Sequence, residues 1–286
     1  MATVRDLRDR IRSLKNTQQI TKAMKQVAAA KIRRAEIAQR QARPYADAMF
    51  GMLHDLMEAV GVVDHPFLKA GNAAAPKGVI LMTADKGLAG AFNSNVIRLG
   101  EQLARKDGAV RWYAVGNKAR SAANRFSQTT DGFSVALSAG PKLENARQVA
   151  AKVTDDFVAG AISEIVLVQS KLVSMTTQRP ESRTLIPIVA EKRETGSGPR
   201  AEVEFAPSPE AVLTKLLPKY LEFTLFSAML ETDAGFFAAQ LIAMSNATEN
   251  AGKLIDELTL QMNKARQAAI TKEILEIVGG AEALTG

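Results

Sequence analysis

One short loop combines the residue types that bind phosphate or catalyse reactions in α/β proteins. Residues 83–93 read TADKGLAGAFN and carry acidic, basic and amide side chains beside Gly87 and Gly90. Nucleotide-binding loops lie at such a position, between a strand and a helix, and use glycines to bring backbone N–H groups to phosphate. The loop lacks the spacing G-x-G-x-x-G, and the chain contains no G-x-x-x-x-G-K-[ST]. A tight structural turn is the favoured interpretation, and a cofactor pocket is the alternative.

The other chemistry-bearing side chains form no catalytic or metal-binding pattern. The chain has no cysteine, which excludes disulfides, thiolate catalysis and Cys-ligated metals. Its two histidines, His54 and His65, lack ligand spacing. The adjacent carboxylates at 155–156 and 256–257 point apart if they lie on helices. We therefore predict no catalytic residue, no metal site and no cofactor, and we expect a protein that is not an enzyme.

The middle of the chain, residues 76–190, is predicted to form an α/β domain. Short β-rich runs alternate there with helical segments, which predicts a doubly wound, mainly parallel sheet covered on both faces. The predicted strands are 78–83, 110–115, 133–137 and 164–168, and the predicted helices are 95–106, 117–126 and 143–159. A hairpin from residues 172–178 and 183–188, with its turn near Pro180, is expected at one edge.

The N-terminal segment, residues 1–58, is predicted to be one long helix. Thr3 is its expected N-cap, with Asp6 three residues further on. Apolar residues recur at spacings of three and four, which predicts a buried stripe. The predicted stripe consists of Val4, Leu7, Ile11, Leu14, Ile20, Met24, Val27, Ile32 and Ala35. A kink or break is expected at Pro44.

The C-terminal segment, residues 210–286, is predicted to be a second long helix behind a Gly- and Pro-rich linker at 191–209. Its apolar spacing is typical of a coiled-coil seam. The predicted seam includes Ala247, Ala251, Leu254, Leu258, Met262, Ala265 and Ala269. As continuous helices, residues 2–43 would be about 63 Å long and residues 219–278 about 90 Å, and both lengths exceed the roughly 30 Å diameter of a small domain. We therefore expect a long antiparallel coiled coil of the two ends; two separate helices packed on a globular domain are the alternative.

Charge is distributed unevenly along the chain, whose net charge is +7. Residues 1–43 carry twelve Lys or Arg against three acidic residues, and residues 210–286 carry six against ten. Opposite charges favour pairing of the two ends, and the basic helix predicts acidic protein partners. We expect no nucleic acid, because residues 1–43 contain no aromatic side chain for stacking. No signal peptide or membrane span is expected, so any membrane association would be indirect.

Four segments of the chain form a recognisable set of motifs. The N-terminal segment, 7–24, reads LRDRIRSLKNTQQITKAM, and the C-terminal segment, 263–281, reads NKARQAAITKEILEIVGGA. The other two are the loop DKGLAGAFN at 85–93 and the segment AMSNATEN at 243–250. In this order, the four segments resemble the gamma subunit family of F-type ATP synthases, in its bacterial form. Gln19, Lys86 and Ala89 depart from its common Lys, Arg and Cys. The regulatory cysteine insertion of the chloroplast form is absent, so thiol control is not expected.

The resemblance implies a non-catalytic central rotor stalk in ATP synthesis and hydrogen ion transport. In that family the coiled coil stands inside a ring of three alpha and three beta subunits. The α/β domain meets the epsilon subunit and the membrane ring of c subunits. Rotation driven by proton flow changes the nucleotide affinities of the beta subunits in turn. The implied location is the cytoplasmic face of the bacterial inner membrane, as a peripheral protein.

The resemblance also implies partner-contact residues. Those expected near the lower end of the shaft are Met24, Lys25, Arg33, Arg34 and Lys86, and those expected near its top are Arg266, Gln267 and Thr271. A solvated surface charge is the alternative for each Lys and Arg, and an ordinary core position is the alternative for Met24. A free-standing α/β binding or structural module with a coiled-coil arm is the alternative function.

Overall fold

A computed structural model describes residues 3–60, 65–126, 129–138, 140, 142–188 and 208–285. The predicted linker 191–209 lies outside the described residues as far as residue 207. The chain divides into two compact units. The helical unit consists of Met1–Ala29 and Gln240–Gly286, and the sheet unit is Ala30–Ala239.

Two long helices contribute to both units and confirm the predicted helical ends. Helix α1 is Val4–Val60 and the last helix, α5, is Pro209–Thr285. The predicted N-cap is present: the Thr3 hydroxyl accepts the Asp6 N–H at 3.2 Å, and Asp6 Oδ2 accepts the Thr3 N–H at 3.0 Å.

Of the kink or break expected at Pro44, the break is absent, because α1 runs through Pro44, and the kink stays a prediction. On the C-terminal side of Pro44, α1 buries Ala46, Met49, Leu53 and Leu56 within the sheet unit. Burying an apolar side chain contributes about 1.5–3 kcal/mol, and an interior proline costs about 3 kcal/mol. The packing of this segment therefore outweighs the cost of the proline.

A five-stranded sheet with crossover helices forms the core of the sheet unit. Its strands are β1 (Lys77–Met82), β2 (Val110–Val115), β3 (Thr129–Val135), β4 (Ile165–Leu172) and β5 (Gln178–Ile186). The order is β3-β2-β1-β4-β5; the first four are parallel, and β5 pairs antiparallel with β4. The predicted mainly parallel sheet is confirmed.

The edge hairpin differs from the prediction in the bounds of its strands and the position of its turn. Strand β4 itself extends to Leu172, and β5 begins at Gln178, so the turn lies at 173–177 instead of near Pro180. Pro180 lies inside β5, opposite Ser170. Proline is tolerated there because β5 is an edge strand, whose outward N–H groups have no neighbouring strand to pair with.

Both faces of the sheet are covered by helices, as the doubly wound prediction requires. Helices α2 (Phe92–Asp107) and α3 (Asn117–Arg125) cover one face, against side chains that include Leu81 and Trp112. Helix α4 (Lys142–Val158) covers the other face with segments of α1 and α5, against side chains that include Ile80 and Tyr113. The strand order reverses between β1 and β4, so their carboxyl ends are where α/β sheets usually place functional loops.

In the helical unit, α1 and α5 pack as an antiparallel pair, with Thr21 beside Thr248 and Lys25 beside Ser245. Four residues of the predicted stripes are wrong: Ile20, Val27 and Leu254 are 60%, 54% and 47% exposed, and Ala269 is exposed as well. The predicted positions Leu7, Ile11 and Ala251 are buried, as expected. The prediction did not include the other buried positions, which include Thr21, Ala28, Met244 and Ile255. Apolar spacing alone missed part of this face because Thr21 and Thr248 are polar members of it. Among the described residues, no helix is long and apolar enough to cross a bilayer.

Candidate partner-contact surfaces

The loop after β1 is fixed to the rest of the sheet unit by Asp85. Its Oδ1 accepts the N–H groups of Asn117 at 2.9 Å and Leu137 at 3.1 Å, and its Oδ2 accepts the Ser138 N–H at 2.7 Å. One carboxylate therefore ties the carboxyl end of β1 to the residues that follow β2 and β3.

The charge of Asp85 is stabilised by these donors. Burial on its own would raise the pKa of this carboxyl. The N–H groups of Ser138, Asn117 and Leu137 outweigh burial and hold the Asp85 pKa below its ordinary value. The carboxylate is thus occupied by the protein's own backbone, which favours the structural-turn interpretation of residues 83–93 over the cofactor pocket.

The same loop is closed internally by Asn93 and attached to α5 by Phe92. Asn93 Oδ1 accepts the Ala84 N–H at 3.0 Å, and Asn93 Nδ2 donates to the Lys86 carbonyl at 3.0 Å. The Phe92 ring lies 6.0 Å from the Phe236 ring, centroid to centroid. The loop is therefore a braced protrusion from the sheet unit.

Two side chains of this protrusion point to solvent. Lys86 is exposed, as a partner-contact residue requires. Leu88 is 63% exposed and has a backbone φ of 62°, a left-handed conformation that a leucine rarely adopts. Sequence reasoning missed Leu88, because neither its exposure nor its backbone angle can be read from an apolar residue in a glycine-containing loop.

Two predicted basic contacts lie on the α1 segment of the sheet unit. Arg33 and Arg34 are adjacent and exposed. Two residues earlier, Lys31 Nζ lies 5.1 Å from the centre of the Phe237 ring, a cation–π contact with α5. Lys31 is thus engaged within the chain, whereas the exposure of Arg33 and Arg34 suits contact with an acidic partner.

In the helical unit, Met24 and Lys25 are neighbours with different environments. Met24 is half-buried, which agrees with its alternative as a packing residue, and Lys25 is exposed. Lys25 Nζ donates to Ser245 Oγ at 3.1 Å. A partner that binds the Lys25 ammonium must therefore either share it with Ser245 or displace it from Ser245.

The predicted upper contacts lie together on the C-terminal part of α5. Arg266, Gln267 and Thr271 are all exposed, and the Thr271 hydroxyl donates to the Gln267 carbonyl at 2.9 Å. Further along α5, the large apolar residues are exposed as well. They are Ile270, Ile274, Leu275, Ile277 and Val278.

Polar contacts that sequence reasoning missed join α5 to the α/β elements of the sheet unit. Asp233 pairs with Lys142 at 3.0 Å, and a Glu231 oxygen accepts the Leu172 N–H at 3.2 Å. Burial raises the pKa of Glu231, although the Leu172 N–H opposes that rise. Nothing in the local sequence distinguishes these carboxylates from solvated ones, because their partners lie 59 or more residues away.

Relatives of this chain share its whole length. The family model described as ATP synthase matches residues 3–284. The ATP synthase gamma chain of Desulforamulus reducens is 46% identical over 284 residues, covering 99% of this chain and 100% of the relative. That of Phenylobacterium zucineum is 42% identical over 290 residues, with the same coverages. The chain belongs to the ATP synthase gamma chain family. The resemblance to the gamma subunit family and the predicted non-catalytic role are thereby confirmed.

Solved structures of stalk subunits share the fold. A chain of the Euglena gracilis mitochondrial ATP synthase, described as OSCP/F1/c-ring in rotational state 3, has a TM-score of 0.68 at 18% identity. It covers 98% of this chain and 94% of its own length. A chain of the Tetrahymena thermophila enzyme, described as central stalk/c-ring, has a TM-score of 0.60 at 21% identity, covering 80% and 99%. The fold of this chain therefore occurs in chains of these complexes at low sequence identity.

Proposed function

We propose that this chain is the central rotor stalk of a proton-translocating F-type ATP synthase. The observation that carries the proposal is the full-length similarity to gamma chains. In this role the chain performs no chemistry; it couples proton-driven rotation to nucleotide affinity changes in the beta subunits. Each orientation of an asymmetric shaft favours a different conformer of each surrounding subunit, which shifts their populations in sequence.

The proposed partners are three alpha and three beta subunits, an epsilon subunit and a membrane ring of c subunits. The helical segments 1–58 and 210–286 would form the shaft, and 76–190 the body below the ring. The location would be the cytoplasmic face of the bacterial inner membrane, with membrane contact made through the c ring.

The proposed contact residues divide into two groups. Lys25, Arg33, Arg34 and Lys86 would meet acidic segments of the beta subunits through screened electrostatic attraction, with Met24 beside them. Leu88 joins this lower group because it is exposed beside Lys86 on the braced loop. Arg266, Gln267 and Thr271 would make polar contacts near the top of the shaft.

Reconstitution with alpha and beta subunits tests the function. We expect one copy of this chain per ring of three alpha and three beta subunits, and ATP-driven rotation of a probe fixed to the sheet unit. The purified chain alone should hydrolyse no ATP. A stable chain that fails to join the ring would favour the alternative, a free-standing binding module. Measurable ATP turnover by the pure chain would contradict the non-catalytic role.

A further inference from the structure

Polar side chains interrupt the apolar contact between α1 and α5 in the helical unit. We name five polar residues and the glycine that they approach the polar layer: Gln18, Thr21, Lys25, Ser245, Thr248 and Gly252. Apolar residues continue the buried face on both sides of it, with Leu7 and Ile11 on one side and Ala28 on the other. Thr21 itself is only 8% exposed. Gln18, Ser245, Thr248 and Gly252 are half-buried, and Lys25 is exposed. A polar side chain at a buried seam position, here Thr21, costs stability relative to an apolar one, which suggests a role other than holding the helices together.

Hydrogen bonds from three positions of α1 cross the polar layer. The hydroxyl oxygens of Thr21 and Thr248 lie 2.8 Å apart. Gln18 Nε2 donates to the Thr248 carbonyl at 3.4 Å, and Lys25 Nζ donates to Ser245 Oγ at 3.1 Å. These contacts extend over two turns of α1, so they restrain its orientation as well as its distance from α5.

The two threonines are also oriented by their own helices. The Thr21 hydroxyl donates to the Gln18 carbonyl at 3.1 Å, so its oxygen is the acceptor for Thr248. The Thr248 oxygen also lies 2.7 Å from the Met244 carbonyl oxygen, which competes with Thr21 for its one proton. A hydroxyl held in this way has little freedom to follow a partner that turns away. The contact between Thr21 and Thr248 is therefore sensitive to rotation of either helix about its axis.

Gly252 makes the approach of Gln18 possible. A Cβ at position 252 would lie 3.1 Å from Gln18 Nε2, tighter than ordinary van der Waals contact. Glycine destabilises a helix interior relative to alanine, so a glycine here needs a packing reason. The reason is that the Gln18 amide reaches the backbone of α5 through the space that a side chain would fill.

We propose that the polar layer is a rotational lock, which holds α1 at one angle about its own axis against α5. Apolar contact is non-directional and permits neighbouring angles at little cost, whereas hydrogen bonds depend on angle. A lock of this kind would pass a twist applied to one helix on to the other. Gln18, Thr21, Thr248 and Gly252 are then positioning residues for torque transmission. This use rests on the proposed rotor function, although the lock itself does not.

Spin-label distances in the full chain test the lock directly. The chain has no cysteine, so labels attach only to the introduced pair, Ile20→Cys and Leu260→Cys, whose parent side chains are 60% and 57% exposed. The parent layer should give one narrow distance distribution. The variant Q18L/T21V/T248V keeps side-chain size, removes the two part-buried crossing bonds and leaves the exposed bond from Lys25 to Ser245. It should at least double the width of the distance distribution. The conservative pair T21S/T248S, which keeps both hydroxyls, should preserve the parent width. An unchanged width in the apolar variant would overturn the lock.

A glycine pair provides a second measurement if the apolar variant fails to fold. Gly252→Ala should shift or broaden the distance distribution, because the new Cβ displaces Gln18. Gly280→Ala is the matched control, since a Cβ there meets nothing within 4 Å. Both changes favour the helix equally. Identical distributions for the two variants would contradict the proposed role of Gly252.

The assembled enzyme separates the lock from its use. In membrane vesicles, Q18L/T21V/T248V should hydrolyse ATP but pump fewer protons per ATP, by at least about two-fold. Broadened distances together with unchanged pumping would contradict the role in torque transmission and leave the rotor function standing. A variant that no longer joins the ring, while T21S/T248S joins normally, would show that the layer serves assembly and would overturn its use in torque transmission.

Discussion

Replacement of Asp85 by asparagine should destabilise the sheet unit, because one carboxylate accepts three backbone N–H groups there. An asparagine retains one acceptor oxygen, which can serve Asn117 and Leu137 as a neutral acceptor. Its NH₂ group then faces the Ser138 N–H, so that bond is lost. A hydrogen bond to a charged group contributes about 1.5–3 kcal/mol and a neutral one about 0.5–1.5 kcal/mol. Since Asp85 is only half-buried, we expect a total loss of about 2–3 kcal/mol.

Urea unfolding followed by tryptophan fluorescence measures this loss. Trp112 is the only tryptophan, is 1% exposed and lies on β2 in the same unit. A loss of this size corresponds to a fall of roughly 5–10 °C in Tm for a unit of this length. The matched control is Asp155→Asn, an exposed aspartate on α4 in the same unit, which should leave the unfolding free energy within about 0.5 kcal/mol of the parent.

The pH dependence gives an independent check on Asp85. The folded-state pKa of this carboxyl lies below its ordinary value of 3.8. Its stabilisation is therefore complete above pH 3.8 and is lost as the pH falls through the folded-state pKa. The difference in unfolding free energy between the parent and Asp85→Asn should thus be constant near neutral pH and should shrink in strong acid. A gap below about 0.5 kcal/mol at neutral pH would refute the reasoning.

Three further changes have defined expectations. Glu231→Gln should raise the free energy of unfolding in urea at neutral pH, because burial raises the Glu231 pKa and so disfavours the charged carboxylate in the folded state. The gain should grow as the pH rises above 4.5, and no gain at neutral pH would contradict this reasoning. Gly116→Ala should cost more than about 3 kcal/mol, since its φ is 92° and a Cβ would lie 2.1 Å from the Thr83 carbonyl oxygen. Gly108→Ala, at φ 83° but in open space, should cost about 1–2 kcal/mol, and equal thermal shifts for both would contradict the steric argument. Met24→Lys in the assembled enzyme should lower protons pumped per ATP while leaving hydrolysis largely intact, whereas Met24→Leu should not; unchanged pumping would contradict a partner contact at Met24.

The proposed contact residues could be selected from the sequence only as far as family motifs reach. Lys86 and Thr271 belong to runs that resemble gamma subunits, and both are exposed, which a partner contact requires. Leu88 and Gly252 could not be selected in that way. Their significance depends on a backbone angle in one case and on the nearness of Gln18 in the other.

The sequence by itself determined the family, the alternation of strands and helices and the two long helices at the ends. These features are local: a helix or strand pattern repeats every few residues, and a motif is read within one segment. The apolar spacing also placed part of the buried face, including Leu7 and Ala251. Only the tertiary structure decided which polar residues belong to that face and which apolar residues do not. Thr21 and Thr248 lie in the seam and Ile20 lies outside it, because each hydroxyl finds a partner on a helix more than 200 residues away. Burial of a polar side chain depends on that distant partner, and no local periodicity contains it.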